Sequence, residues 1–363
     1  NSVVFSSTAT ADVTDMSVGG TAPNTLVMSD TVFIDSSLIL SSPSSTVVGG
    51  VTYDVYESAT NAGVQLRVDR AADVMQVVSV AGDGTASAAP GTQLLRGSGN
   101  SDTLSGGGGA DILKAGAGDD VIVFDSNDLL MDGGAGVDAL LATGSIDLTA
   151  VANDRMRNIE VIDLAGGNTP YSVTLNDADA SDLNANRTVF IKGTAADTAR
   201  LVGAWTQRST ETVNENGTNV TYTLFTLNNA TVKVQSGVGV TYLGTDGRDL
   251  LTSGSGNQSL DGGLGSDVLD GGAGADSMVG GRGEDVFIYD INDAKYVGGI
   301  DGGLDNETDT VKVTGSGVTV DLTTGPNPSL DGIEVWDLTG TGDNVLVVGA
   351  NQVRDMSNST NTL

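Results

Sequence analysis

The residues best suited to chemistry in this chain are aspartates that recur in steps of nine positions within glycine-rich stretches. They are Asp102, Asp111, Asp120, Asp138, Asp249, Asp267, Asp276 and Asp285. An apolar residue stands two positions after each of them. Carboxylate and main-chain carbonyl oxygens are the ligands that Ca²⁺ prefers, and glycine permits the turns that bring carbonyls together. This spacing therefore predicts that the chain binds calcium ions.

The composition excludes most other chemistry. The 363 residues include no His and no Cys, so histidine-dependent hydrolase sites, thiolate metal sites and disulfides are all excluded. We therefore expect no enzymatic activity. The 47 Asp and Glu outnumber the 16 Lys and Arg, for a formal charge of -31, which makes nucleic acid and anionic membrane surfaces poor partners. No apolar run is long enough for a transmembrane segment.

The aspartates belong to a nine-residue repeat. Its three complete consecutive copies are Gly262–Asp270, Gly271–Val279 and Gly280–Ile288. These copies resemble the GGxGxDxUx nonapeptide of the RTX (repeats-in-toxin, hemolysin-type calcium-binding repeat) family. The resemblance implies a parallel β-roll, in which a glycine-rich turn precedes a short strand with one inward side chain. The inward side chains are then Leu104, Leu113, Ile122, Leu140, Leu251, Leu260, Leu269, Met278 and Phe287.

Two nonapeptides form one turn of such a roll, so aspartates eighteen residues apart are expected to face each other. The complete pairs are Asp102 with Asp120, Asp120 with Asp138, Asp249 with Asp267, and Asp267 with Asp285. In this register Asp111 faces Leu129, and Asp276 lies between Gln258 and Ala294. Those two aspartates are therefore expected to bind calcium more weakly.

The resemblance also implies that carbonyl oxygens of the turns complete each calcium site. The carbonyl donors that it nominates are Gly97, Gly99, Gly106, Gly108, Gly262, Leu264, Gly271 and Ala273. Asp309, beyond the last complete copy, is added to the metal ligands. Four other aspartates near the repeats are expected to be solvated surface groups rather than ligands, namely Asp119, Asp125, Asp128 and Asp290.

A longer repeat indicates two tandem modules of roughly 170 residues. Arg157–Gly166 returns at Asp331–Gly340, and Val51–Tyr56 returns as Val220–Phe225. Outside the nonapeptides the chain is rich in strand patterns, so we expect an all-β protein of β-roll blocks joined to β-sandwich or β-solenoid-like segments. The predicted domains are a β-rich segment 1–96, a first roll 97–141, a connecting segment 142–243, a second roll 244–313 and an end segment 314–363.

The RTX resemblance implies type I secretion, folding on calcium outside the cell, and a place on the bacterial cell surface. The long modules resemble repeats of large RTX adhesins, so a structural repeat region of an adhesin is the first interpretation. One alternative is an S-layer or filament subunit that assembles with copies of itself. Another is the accessory repeat region of a secreted enzyme. Besides calcium ions, the partners left open are copies of the chain and a cell-surface ligand. Since the chain begins at Asn1 without a targeting signal, we expect it to be part of a longer protein.

Overall fold

The computed structural model describes residues 92–356 apart from 166, 168, 291–292, 294–298, 304–306 and 324–329, and before residue 92 it describes Gly84 and nine strands. The strands up to residue 141 are β1 (Ser2–Val3), β2 (Ala11–Asp12), β3 (Asn24–Leu26), β4 (Val32–Asp35), β5 (Leu38–Val48), β6 (Val51–Ser58), β7 (Gln65–Asp69), β8 (Val74–Ser79), β9 (Thr85–Ser87), β10 (Gln93–Arg96), β11 (Thr103–Ser105), β12 (Ile112–Ala117), β13 (Val121–Val123), β14 (Leu130–Ala135) and β15 (Ala139–Leu141).

The remaining strands are β16 (Ile146–Asp147), β17 (Met156–Arg157), β18 (Val161–Asp163), β19 (Ser172–Leu175), β20 (Thr188–Lys192), β21 (Thr198–Val202), β22 (Thr206–Glu215), β23 (Thr218–Leu227), β24 (Ala230–Gln235), β25 (Gly239–Leu243), β26 (Leu250–Thr252), β27 (Ser259–Leu264), β28 (Val268–Asp270), β29 (Ser277–Arg282), β30 (Val286–Tyr289), β31 (Ile300–Asp301), β32 (Thr310–Val313), β33 (Thr319–Asp321), β34 (Leu330–Asp331), β35 (Val335–Asp337) and β36 (Val345–Val347). The two α-helices are α1 (Asp177–Leu183) and α2 (Ala350–Met356). None of the described helices is long and apolar enough to cross a membrane.

The chain divides into two compact units. The first comprises Asn1–Leu140 with Asp154–Ile159, and the second comprises Leu141–Asn153 with Glu160–Leu363. Each unit contains one of the nonapeptide blocks, so each can be described as a separate roll.

In the first unit, successive nonapeptides place their strands alternately in two sheets. One sheet has the order β2-β4-β8-β10-β12-β14-β17, and the other places β9, β11, β13 and β15 side by side. Strands within each sheet are parallel, and Leu113 aligns with Leu95 on one side and Met131 on the other. One turn therefore takes eighteen residues, as the repeat predicts.

The second unit has the same winding over more turns. Its strands are hydrogen-bonded in the orders β16-β19-β21-β25-β27-β29-β31-β34, β26-β28-β30-β32-β35, β18-β20-β24-β23-β22 and β33-β36. Parallel pairing runs without interruption from β19 in the connecting segment to β29 in the nonapeptide block. The connecting segment is thus a β-solenoid, the second of the two architectures expected for it.

The apolar core of each roll is the column of inward side chains. All nine inward residues predicted from the nonapeptides are fully buried, at 0% exposure. A three-residue strand buries little surface by itself, so each turn is stabilised by the turns stacked above and below it. The β-roll fold is confirmed.

Both units also contain three consecutive antiparallel strands, which interrupt the parallel winding. The middle strands are β6 in the first unit and β23 in the second, each paired antiparallel on both sides. These strands carry Val51–Tyr56 and Val220–Phe225, the two copies of one long-repeat phrase. The long repeat therefore corresponds to a repeated supersecondary unit.

Candidate functional site

The repeat aspartates form vertical stacks inside the rolls. In each stack, which we call a ladder, a carboxylate oxygen accepts a hydrogen bond from the backbone N–H of the ladder residue one turn earlier. Asp102 N–H donates to Asp120 Oδ1 at 2.7 Å, and Asp120 N–H donates to Asp138 Oδ1 at 2.9 Å. The three side chains are at most 2% exposed. The eighteen-residue pairing expected for these aspartates is therefore present.

The longest ladder lies in the second roll and extends beyond the nonapeptides. Asp249 N–H donates to Asp267 Oδ1 at 2.7 Å, and Asp267 N–H donates to Asp285 Oδ1 at 2.8 Å. Asp285 N–H then donates to Asp309 Oδ1 at 2.8 Å, and Asp309 N–H to Glu334 Oε2 at 3.0 Å. Each residue of this ladder stands two positions before an inward residue, and these inward residues are aligned from strand to strand. The ladder therefore continues through turns that are longer than eighteen residues.

The predicted partner of Asp111 is wrong. Its N–H donates to Asp128 Oδ1 at 3.1 Å, seventeen residues away, whereas the expected Leu129 is 45% exposed. Asp128, expected on the surface, is instead fully buried. The error arose because the chain departs by one residue from the nine-residue register in this turn.

The second roll has the same departure at Asp276. Its N–H donates to Asp293 Oδ1 at 3.2 Å, and its own Oδ1 accepts from Gln258 N–H at 2.7 Å. The expected neighbour Gln258 is thus confirmed on one side, while Ala294, expected on the other, lies outside the described residues. Asp276 therefore has one acidic neighbour rather than none.

In five of the ladder aspartates the second carboxylate oxygen lacks a donor among the described residues. Oδ2 is buried without a hydrogen-bond partner among the described residues in Asp111, Asp120, Asp128, Asp267 and Asp276. A buried charged oxygen without a partner is strongly destabilising. Burial raises the pKa of all five carboxyls, and the pKa of Asp128 reaches about 7. A cation at these oxygens would relieve that cost.

Asp197, in the connecting segment, is also a buried aspartate, but the protein donates hydrogen bonds to both of its carboxylate oxygens. Its Oδ1 accepts from Tyr171 N–H at 2.8 Å, and its Oδ2 accepts from the N–H and hydroxyl of Thr194 at 2.7 and 2.8 Å. Although burial alone would raise it, these hydrogen bonds hold the pKa of Asp197 below its usual value. The contrast indicates that the ladder aspartates without donors are the ones suited to a metal ion.

In each roll, a Ser or Thr donates the same pair of hydrogen bonds to the first aspartate of a ladder. Asp102 Oδ2 accepts from the N–H and hydroxyl of Ser98 at 2.6 and 2.9 Å. Asp249 Oδ2 accepts from the N–H and hydroxyl of Thr245 at 2.6 and 2.8 Å. In both repeats the donor occupies position 2, where the complete copies have Gly. Sequence reasoning overlooked this contact, although the Ser or Thr at position 2 was visible.

The nominated carbonyl donors fall into two groups. At position 1, Gly106, Gly262 and Gly271 are buried, and a methyl group on Gly262 would lie 2.6 Å from Asp267 Oδ2. At position 3, Gly99, Gly108, Leu264 and Ala273 are exposed. The Ala273 carbonyl accepts a hydrogen bond from Gly256 N–H at 2.8 Å. Gly97 is half-buried at the start of its roll.

The donor set fits calcium. Among the described residues no three acidic side chains converge as a metal-binding group, so carbonyl oxygens must supply the other ligands of any ion. Calcium accepts six to eight oxygens in flexible geometry, which suits two carboxylates and several turn carbonyls. Mg²⁺ demands a smaller octahedral shell and is a poorer match.

Comparison with known families matches the chain to the RTX calcium-binding nonapeptide repeat, in four copies, over residues 91–128, 241–266 and 252–287. No curated protein matches the chain. The matched segments contain ladder aspartates of both rolls, whereas Asp138, Asp293 and Asp309 lie outside them. The repeat blocks of this chain therefore belong to the RTX calcium-binding repeat family.

Proposed function

We propose that this chain is an extracellular structural repeat region of a type I-secreted bacterial surface protein, and that calcium binding folds and stiffens it. The observation that carries the proposal is the set of buried ladder aspartates, Asp120 and Asp267 among them, whose Oδ2 has no hydrogen-bond partner among the described residues. Calcium at these oxygens would convert an unfavourable stack of like charges into the stabilising element of the roll.

The composition supports folding outside the cell. Without an ion, ladder carboxylates repel one another inside a glycine-rich solenoid that is already costly in conformational entropy. The formal charge of -31 adds a general repulsion in the compact state. A chain with these properties stays unfolded at low calcium, as passage through a secretion channel requires, and folds where calcium is abundant.

Within this proposal, an adhesin repeat is the favoured role. Each tandem module has its own antiparallel strands and its own roll. This arrangement supports the role of a repeating spacer, whose length grows with the number of copies. A lattice or filament subunit is the alternative, with copies of the chain as its partners, and an accessory region of a secreted enzyme is the second. We do not propose an enzymatic role for the chain itself, since its sequence has no His or Cys and its buried carboxylates are used in the ladders.

Circular dichroism in EDTA and then in millimolar calcium tests the folding step. We expect a mostly unfolded spectrum in EDTA, a β spectrum in calcium, and little recovery in magnesium. An unchanged β spectrum in EDTA would contradict the proposal. Negative-stain imaging of the calcium-bound chain separates the roles, because isolated rods support the adhesin and ordered arrays or filaments support the lattice.

A further inference from the structure

The turn that ends with Asp128 departs from the nonapeptide pattern. In the regular copies the aspartate stands two positions before the inward residue, as Asp120 does before Ile122. Asp128 stands three positions before the inward Met131, and Leu129 occupies the regular place. The structure nevertheless buries Asp128 completely and leaves Leu129 45% exposed.

A local irregularity in the backbone makes this exchange possible. The N–H groups of Leu129 and Leu130 both donate to the Asp111 carbonyl, at 2.7 and 3.3 Å. In the regular turns a single N–H makes this contact, as Val121 does to Asp102. The additional residue therefore lies outside the stack, and Asp128 takes the place of a ladder aspartate.

The turn holds its shape through its own hydrogen bonds. Asp128 N–H donates to the Asp125 carbonyl at 3.1 Å, and Asp125 Oδ1 accepts from Asn127 N–H at 2.9 Å. On its outer side, Arg155 donates to the Ser126 carbonyl at 3.2 Å. These contacts fix Asp128 without using its Oδ2.

Asp111 and Asp128 consequently present two unsatisfied oxygens in the same ladder. Both side chains are fully buried, and Oδ2 of each has no hydrogen-bond partner within the described parts of the chain. Two adjacent buried carboxylates carry two negative charges, which a divalent cation would neutralise. Only oxygen ligands are present, which favours a hard cation.

We propose that Asp111 and Asp128 bind one calcium ion at a site outside the nine-residue register, completed by main-chain carbonyls of their two turns. This site rests on the proposed calcium binding of the chain and adds a second acidic ligand, Asp128, to the weak site that the repeat pattern expects at Asp111. Asp128 is the ligand that the pattern assigns to no site.

The second roll contains a matched comparison. Asp293 lies seventeen residues after Asp276, but its Oδ2 already accepts from Asp290 N–H at 2.7 Å. Of these two aspartates, Asp276 is the one whose Oδ2 has no hydrogen-bond partner among the described residues. The site of Asp276 and Asp293 is therefore expected to be the weaker of the two, because a protein hydrogen bond already partly satisfies Asp293 Oδ2.

The test counts calcium ions on the full chain by equilibrium dialysis and metal analysis. The variants are Asp128→Asn, Asp111→Asn and the double variant, with Asp154→Asn as the control, because Asp154 is an exposed carboxylate of the same unit. We expect each single variant and the double variant to lose the same one ion, and Asp154→Asn to lose none. Asp293→Asn is expected to change only ions that bind at higher calcium.

An unchanged count in Asp128→Asn, or a double variant that loses two ions, would overturn the site. If Asp128→Asn does not fold, a second variant combines Asp128→Leu with Leu129→Asp and so moves the carboxylate to the regular position. The proposal expects this variant to lack the same ion, since Leu129 is outside the stack. Recovery of the ion would contradict it. A wild-type chain that binds no calcium would instead refute the proposed function itself.

Discussion

Asp267 Oδ1 lies 2.7 Å from the backbone nitrogen of Asp249, one complete turn earlier in the chain. The N–H of Asp267 makes the same contact to Asp285, so this residue has a carboxylate on both sides. Its remaining oxygen is buried and has no donor within the described part of the chain. Asp267 is therefore the central member of its ladder and the residue on which two ions would depend.

We predict that Asp267→Asn costs more stability in calcium than Asp276→Asn. The first substitution weakens two sites, and since ions that bind only the folded state stabilise it by mass action, the loss is roughly 2–5 kcal/mol near saturating calcium. Asp276 has an acidic neighbour on one side only, so it affects one ion. Thermal melts at several calcium concentrations compare the variants. Equal losses would show that the ladder does not share ions in this way.

Gly265 provides a test of the stacking that does not involve a ligand side chain. Its φ is +120°, and a methyl group on it would lie 2.6 Å from the Gly247 carbonyl carbon and oxygen. We predict that Gly265→Ala destabilises the roll by about 1–3 kcal/mol, because both the conformation and the clash are unfavourable. The control is Gly247→Ala, where the nearest atom lies 4.0 Å away. Denaturation in saturating calcium that gave equal losses would argue against this stacking.

Acidification is expected to increase the stability of the folded state in EDTA and to decrease it in calcium. Burial, opposed in part by a backbone hydrogen bond, raises the pKa of Asp128 and of Asp293 to about 7. Because these folded-state values lie above the unfolded value of 3.8, the folded state binds more protons, and its stability increases as pH falls from about 7 towards 4. In calcium, protons compete with the ions, so acidification lowers stability.

Circular dichroism from pH 8 to pH 5, in EDTA and in calcium, measures both trends. General charge repulsion also decreases on acidification, so Asp128→Asn is the necessary comparison. This variant is expected to show a smaller gain in folded fraction near pH 7 in EDTA. The same pH dependence in wild type and variant would show that Asp128 does not contribute.

We also expect the purified chain to hydrolyse no ester, peptide or glycoside. The physical reason is the lack of histidine and cysteine in the sequence, together with the use of buried carboxylates in the ladders. Chromogenic substrates assayed in calcium and in EDTA provide the measurement. Turnover that follows the protein through purification would contradict this expectation.

The regular parts of the rolls were predictable because two periods coincide there. An inward residue such as Leu269 and an aspartate such as Asp267 repeat together, so one pattern gives both the core and the ladder. Asp309 was also predicted as a metal ligand, but its ladder neighbour Glu334 was not. It stands two positions before Trp336, which aligns with the inward Val311.

The irregular parts required three-dimensional information. The backbone irregularity after Asp128 depends on two N–H groups that share one carbonyl, which no residue pattern specifies. Asp197 was missed for another reason: its turn is one residue shorter between Gly193 and the aspartate than a nonapeptide turn. Its Thr194 contact shows that a solenoid turn can hold a buried carboxylate without a metal.

The parallel stacking of eighteen-residue turns has a mechanical consequence. Each turn is hydrogen-bonded to its immediate neighbours, so a pulling force applied to the chain detaches turns from an end one after another. Every detached turn releases roughly 60 Å of extended chain. An ion held between two turns would have to dissociate before they separate. The ambient calcium concentration would then set the force at which the chain lengthens, and each roll would act as an extensible element with a tunable yield point.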